Sequence, residues 1–267
     1  MATQIIGLQD WLGTPAGQYL LHWEQAQLDK VVADVFGYHA LQLGLPKIAS
    51  LQANRMPHRW TADAIDATEV QSLNLLTDFA TLPFPVASLD LLVLPHTLEF
   101  SHDPHATLRE AERVLVPDGR IIVCGLNPAS LWGWAQRRQR LYRRMGLGTP
   151  YLPESGDFIG YWRLRDWLRL LGFEVESGSF GCYSPAVRSQ AWLDRMAWMD
   201  TLGGRYWPIL GAAYCVVAVK RVHGMRLMGA SWKRTAHRSN APVSIAPRAH
   251  STLVRHDFSQ LKQDEHD

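Results

Sequence analysis

The stretch from Leu89 to Leu126 constrains this chain most. LDLLVLP and RIIVCGL are largely apolar seven-residue runs, and HDPHATLREAERVL lies between them with helical spacing. Strands without polar alternation are buried on both faces, and their alternation with helices indicates a parallel sheet covered on both sides, the helix crossing over between two of them. Asp103-Pro104 opens the helix, while Ala106, Leu108, Ala111, Val114 and Leu115 share its buried side.

The same reading extends outward. Leu8 to about Phe36 has apolar residues at helical spacing and is predicted to be a helix covering a sheet edge. HALQLG is a strand stopped at Gly44, VQSLNLL a second, and FEVESGSF and GAAYCVVAVKRV two more. RLRDWLRLLG is an amphipathic helix, and GGRYWP is expected to be a turn. The expected fold is a doubly wound α/β domain over residues 1–222, with an N-terminal helical segment and a mostly parallel sheet. From 223 to 267 no apolar period is visible, and a flexible basic tail is expected. Arg221 to Asp267 holds eight Lys/Arg against four Asp/Glu, so the remainder carries −2 of the chain's +2 net charge.

Composition removes several classes. At 47% hydrophobic and 19% charged, the 267 residues are not a disordered chain. No run approaches the roughly 18 to 20 apolar residues needed to span a bilayer, and the start lacks a basic, then apolar, export leader. Cys124, Cys182 and Cys215 are odd in number and widely spaced, which argues against a disulfide framework or metal site and for a cytoplasmic setting. The histidines show no metal-ligand spacing.

In a parallel sheet, ligands sit beyond the carboxyl ends of the strands. Three loops lie there: Leu43-Gly44, where a missing Cβ admits a ligand to the backbone; Asp78-Phe79, where a carboxylate can accept from an amino group beside an apolar wall; and His96. The order Asp78-Phe79-Ala80-Thr81-Leu82-Pro83-Phe84, Leu89-Asp90-Leu91-Leu92, His96-Thr97-Leu98-Glu99 and Arg113-Val114-Leu115-Val116-Pro117-Asp118-Gly119 resembles the class I S-adenosylmethionine-dependent methyltransferases. The likeness is to the type 11 group, with its D-x-x-x-L-P-F, F-D-x-V, H-x-L-E and R-V-L-x-P-G-G text.

The resemblance implies a Rossmann-like sheet of the seven-stranded type and S-adenosylmethionine as methyl donor to an unidentified acceptor. It places Leu43, Gly44, Asp78 and Phe79 at the cofactor, with an acid at the second strand end for the ribose, either Asp63 or Asp66. His96 would be the base if one is needed. Asp90, Glu99 and Arg113 are expected to be structural. Where the family has G-x-G-x-G, this chain has Gly44-Leu45-Pro46-Lys47, and the first helix is expected to be shortened. That departure keeps open an alternative, a catalytically inactive methyltransferase-like binding module.

Residues 128–162 are expected to form a lid. Trp132, Arg137, Arg138 and Tyr142 are its candidate substrate contacts, suited to an anionic acceptor. The run Arg137–Arg144, interleaved with aromatics, also suits a peripheral membrane or nucleic-acid surface.

Overall fold

The crossover predicted between Leu89 and Leu126 forms as expected and sits at the centre of a seven-stranded sheet. In the computed structural model, residues 11–64, 74–144, 158–187 and 189–221 are described, and for 140–144 this covers the helical backbone alone. The chain divides into two units, Met1–Gly224 and Met225–Asp267, and every described residue lies in the first. The expected tail at 223–267 therefore lies outside the described residues.

The strands are β1 (His39–Leu43), β2 (His58–Asp63), β3 (Leu75–Leu76), β4 (Leu89–Pro95), β5 (Leu115–Leu126), β6 (Phe173–Gly181) and β7 (Ala213–Lys220). Their spatial order is β3-β2-β1-β4-β5-β7-β6. Only β7 runs against its neighbours, so β1 to β6 all end on one edge. The helices are α1 (Pro15–Ala33), α2 (Thr97–Phe100), α3 (Pro104–Val114), α4 (Leu131–Arg144), α5 (Tyr161–Leu170), α6 (Gln190–Met196) and α7 (Trp198–Tyr206), followed by a 3-10 turn at Pro208–Leu210.

Each face of the sheet has its own core. Leu41, Leu92, Ile121 and Val216 pack under α3 and α5 through Leu108, Ala111, Leu164 and Leu168. Leu91, Val93, Ile122 and Val217 pack under α1 through Leu20, Leu28 and Val32. α1 therefore covers the middle of the sheet rather than an edge, because β4, β5 and β7 carry the apolar side chains that its stripe can bury. Thr14 caps α1 by accepting from the Gly17 N–H, and Asp103 caps α3 by accepting from His105 and Ala106.

Two further differences have local causes. GGRYWP is not a turn: Gly203 lies inside α7, where a Cβ would stand 2.3 Å from Cγ of Tyr183, so glycine lets the helix lie against that ring. No helix follows β1. Residues 44–57 wind through short turns, closed by Ile48 N–H to Leu45 O, Gln52 to Ala49 and Asn54 to Leu51. Buried Gln42 substitutes for the helix by donating to the carbonyls of Gly44, Leu45 and Ile48 and accepting from the Ser50 N–H.

Candidate cofactor and active site

The candidate site residues lie at the carboxyl ends of β1, β2, β3 and β4, on one edge of the sheet. β1 ends at Leu43 and is followed by Gly44, whose φ of +76° a side chain would strain and whose N–H donates to Ala62 O at 2.7 Å. That bond sets Gly44 beside Asp63, the last residue of β2. Thr77 N–H donates to Asp63 O, bringing the Asp78-Phe79 loop alongside. Thr97, the first residue of α2, donates its hydroxyl to Leu43 O. A Cβ on Gly44 would lie 3.1 Å from Thr97 Oγ1 and 3.7 Å from Phe79 Cζ. Leu43, Gly44, Phe79 and Thr97 therefore meet, with Asp63 and Asp78 on the flank.

The two acids differ. Asp63 is buried, burial pushes its carboxyl up, and one oxygen accepts from the Ala64 N–H at 2.8 Å. Asp78 is exposed, and its Oδ1 closes its own turn by accepting from Ala80 N–H at 2.9 Å. A buried carboxylate at a strand end suits a vicinal diol, since each hydroxyl can replace a lost water bond. The sequence offered Asp63 and Asp66 for this place without a strand to choose between them. β2 ends at Asp63, and Asp66 lies outside the described residues.

His96 does not face the crevice as a free base. It sits in the left-handed region at φ 58°, buried, with Nε2 2.8 Å from Glu24 of α1 and Nδ1 2.7 Å from Glu99 of α2. Burial alone would push its pKa down, but the two carboxylates outweigh that and hold it up at about 10. The ring is a cation with both nitrogens engaged, so it has no lone pair for an acceptor's proton. Glu99 also accepts from the Leu126 N–H at 2.5 Å, tying α2 to the end of β5. Glu24 is the residue that sequence reasoning missed. Its signal was present: it stands four residues from both Leu20 and Leu28, in the middle of the buried stripe of α1.

The remaining motif residues act on the scaffold. Asp90 accepts from the N–H groups of Tyr38 and His39, fixing the entry to β1. Arg113 pairs with Glu110 at 2.6 Å and donates to Leu82 and Phe84 carbonyls, while Glu110 accepts from the Leu82 N–H. The L-P-F text and the R-V-L text are thus two sides of one contact.

Of the expected lid contacts, Trp132 is instead core. It is buried, edge-on to Trp11 at 5.6 Å, and donates to Ser184 O at 2.8 Å, because its position on α4 faces the helix's own anchor. Arg137 and Arg138 are exposed, and the Arg138 guanidinium lies 4.7 Å over the Trp134 ring. The side chain of Tyr142, those of 140–144 generally, and the lid residues 145–157 lie outside the described residues. No group of metal-ligating residues occurs among the described residues, nor any helix long and apolar enough to cross a membrane.

Residues 50–123 match a family described as a methyltransferase domain, Methyltransf_11. The chain is 31% identical over 166 residues to an uncharacterised protein, YafS, of Escherichia coli, covering 62% of this chain and 65% of that one, just under two thirds. It is 33% identical over 170 residues to the biotin biosynthesis bifunctional protein BioHC of Saccharophagus degradans, covering 60% of this chain and 29% of that one. Its fold is similar to that of an S-adenosylmethionine-dependent methyltransferase from Archaeoglobus fulgidus, at TM-score 0.52 and 17% identity, covering 75% and 94% of the two chains. That family implies S-adenosylmethionine as cosubstrate, and the residues present fit its adenosine half: a buried carboxylate at Asp63, a glycine at the crevice floor and the Phe79 wall. The methionine half lacks the usual helix N-terminus after β1. The motif text and the domain match over residues 50–123 are similar to the type 11 methyltransferase domain, and the β3-β2-β1-β4-β5-β7-β6 sheet has the class I, S-adenosylmethionine-dependent methyltransferase fold.

Proposed function

We propose that this chain transfers a methyl group from S-adenosylmethionine to an acceptor held under α4. The observation that carries the reading is Asp63, a buried carboxylate at the end of β2 beside Gly44 and the Asp78-Phe79 loop. In that crevice Asp63 takes the ribose hydroxyls, Asp78 the adenine amine, and Phe79 and Leu43 flank the base. When bound, the cosubstrate supplies a methyl already activated on a sulfonium. The protein's work is to hold the acceptor atom in line at contact distance and to exclude water. His96 contributes by fixing α1 and α2 around the crevice and, with both nitrogens engaged, does not serve as a base. The exposed Arg137 and Arg138 favour an anionic acceptor. The three buried free thiols, with Cys124 opposite Cys215 across β5 and β7, suit a reducing cytoplasmic setting.

A second reading rests on residues 44–57. The loop's carbonyls are committed to Gln42, Pro46 has no N–H, and Phe79 and Thr97 lie against Gly44. A chain that has lost turnover and serves as a binding module would show the same features.

Calorimetric titration with S-adenosylhomocysteine separates the two. Wild type should bind, and Asp63→Ala should weaken binding by about 1 to 3 kcal/mol, roughly 5- to 150-fold, by leaving ribose hydroxyls without their acceptor. A wild type that takes up no ligand at millimolar concentration would favour the binding module.

A further inference from the structure

Between β6 and β7 the chain makes a 31-residue excursion, 182–212, that includes α6 and α7. It leaves β6 at Gly181, which pairs with Ala213, which in turn stands at Leu126 of β5, so the excursion rises from the same edge as the crevice. α7 is amphipathic in the wrong sense for a water-facing helix. Trp198, Leu202 and Tyr206 recur every four residues on one stripe and are 60%, 40% and 63% exposed. The polar Asp200 instead points inward, accepting from the Tyr19 hydroxyl and from the Tyr183 N–H. Gly203 is the position that lies against the domain. The apolar surface continues through Trp207 and Ile209, and Trp192 of α6 is half exposed. Four partly exposed aromatics of roughly 150 to 250 Å² each already amount to a patch on the order of 500 Å², about the largest that a soluble monomer carries.

The make-up of the patch selects its occupant. Tryptophan and tyrosine carry an apolar body and a hydrogen-bonding tip, which suits the boundary between headgroups and acyl chains. Arg195 and Arg205, both exposed, stand in the last turns of α6 and α7, and Arg195 lies 5.3 Å over the Trp192 ring. Their stems can follow the aromatic surface while the guanidinium groups reach phosphates above it. With Asp200 turned inward, Arg195 and Arg205 outnumber the one exposed acid among the described residues of α6 and α7, Asp194, which accepts from Gln190. We infer that the α6–α7 excursion docks this protein on an anionic phospholipid surface, Trp198, Leu202 and Tyr206 entering the headgroup boundary and Arg195 and Arg205 meeting lipid phosphate. The inference is independent of methyl transfer and uses none of the cofactor residues.

The full-length protein is to be mixed with vesicles of phosphatidylcholine alone or with one quarter phosphatidylglycerol. Partitioning is read by co-sedimentation and by quenching of tryptophan fluorescence with brominated acyl chains. Wild type should pellet with the anionic vesicles and be quenched. Trp198→Ser/Leu202→Ser/Tyr206→Ser should bind at least about tenfold less, since three interfacial anchors are lost. Arg195→Gln/Arg205→Gln should weaken binding to the anionic vesicles, with the difference shrinking as salt rises. Trp162→Ser/Leu170→Ser, exposed on α5 against the opposite face of the sheet, should bind like wild type, and all variants should keep a wild-type circular dichroism spectrum because the changed side chains are exposed. A wild type that stays in the supernatant, or a triple variant that pellets like wild type, would overturn the inference. So would a wild-type dimer in sedimentation velocity that the triple variant abolishes without any effect of vesicles, which would make the stripe a contact between copies.

Discussion

Replacing Glu24 by glutamine tests the buried Glu24–His96–Glu99 arrangement at one atom pair. His96 is held protonated up to about pH 10 in the folded chain, against an ordinary histidine value near 6.5 when unfolded. Between those values the folded state keeps a proton that the unfolded state has released, so stability is complete below about pH 6.5 and falls as pH rises. The slope is about 1.4 kcal/mol per pH unit, which makes wild type about 2 kcal/mol less stable at pH 8.5 than at pH 7. Glu99, whose carboxyl is pushed up by burial, acts in the same sense. Buried thiols add to the slope near and above their ordinary range, Cys124 held up by its hydrogen bond to Cys215 and by burial, Cys182 by burial. The charge of Glu24 also helps to hold both thiols up, so its loss reduces their contribution in the same sense. In Glu24→Gln one of the two charges that sustain the imidazolium is gone, so the variant's stability should change distinctly less over the same interval. The assay is urea unfolding followed by tryptophan fluorescence at half-unit steps of pH. Parallel stability curves for the two proteins would refute the reasoning, and so would a wild type whose stability rises with pH. Glu24→Ala, which leaves the cation unpaired on one side, should cost about 3 to 5 kcal/mol at pH 7.

Gly203→Ala places a methyl 2.3 Å from Tyr183 Cγ and should lower stability by about 1 to 3 kcal/mol, read by denaturant midpoint, with cofactor binding intact. Gln42→Leu leaves three loop carbonyls without their donor and should cost about 1 to 3 kcal/mol while weakening S-adenosylhomocysteine in calorimetry. Asp78→Ala should also weaken that ligand, but less than Asp63→Ala, because Asp78 is exposed; equal losses would show that burial does not separate the two acids. A chain ending at His223 should melt within a few degrees of full length, because 223–267 lacks an apolar period; a large drop in Tm would show that the segment contributes to the fold.

By itself the sequence determined the parallel α/β class and the strands of the sheet other than β2, whose residues 58–63 show no clear pattern, because the signals involved are local. Apolar runs without alternation mark buried parallel strands, and Asp103-Pro104 and Gly172 mark helix ends whatever surrounds them. It also determined the crevice, since a parallel sheet directs Leu43-Gly44, Asp78-Phe79 and His96 to one edge by connectivity alone. Tertiary structure decided what each of those residues faces. Only packing could reveal that Glu24, 72 residues away in sequence, pairs with His96 and turns an apparent base into a buried cation. Only the end of β2 could choose Asp63, and only the meeting of α4 with Ser184 could bury Trp132 while leaving Arg138 exposed. Gly203 read as a turn because a glycine's local preference is for turns, whereas the Tyr183 ring required a helix without a side chain there. Periodicity records that a side chain is buried or exposed; the partner it meets is set by strands and helices far away in the chain, and charge states follow the partner.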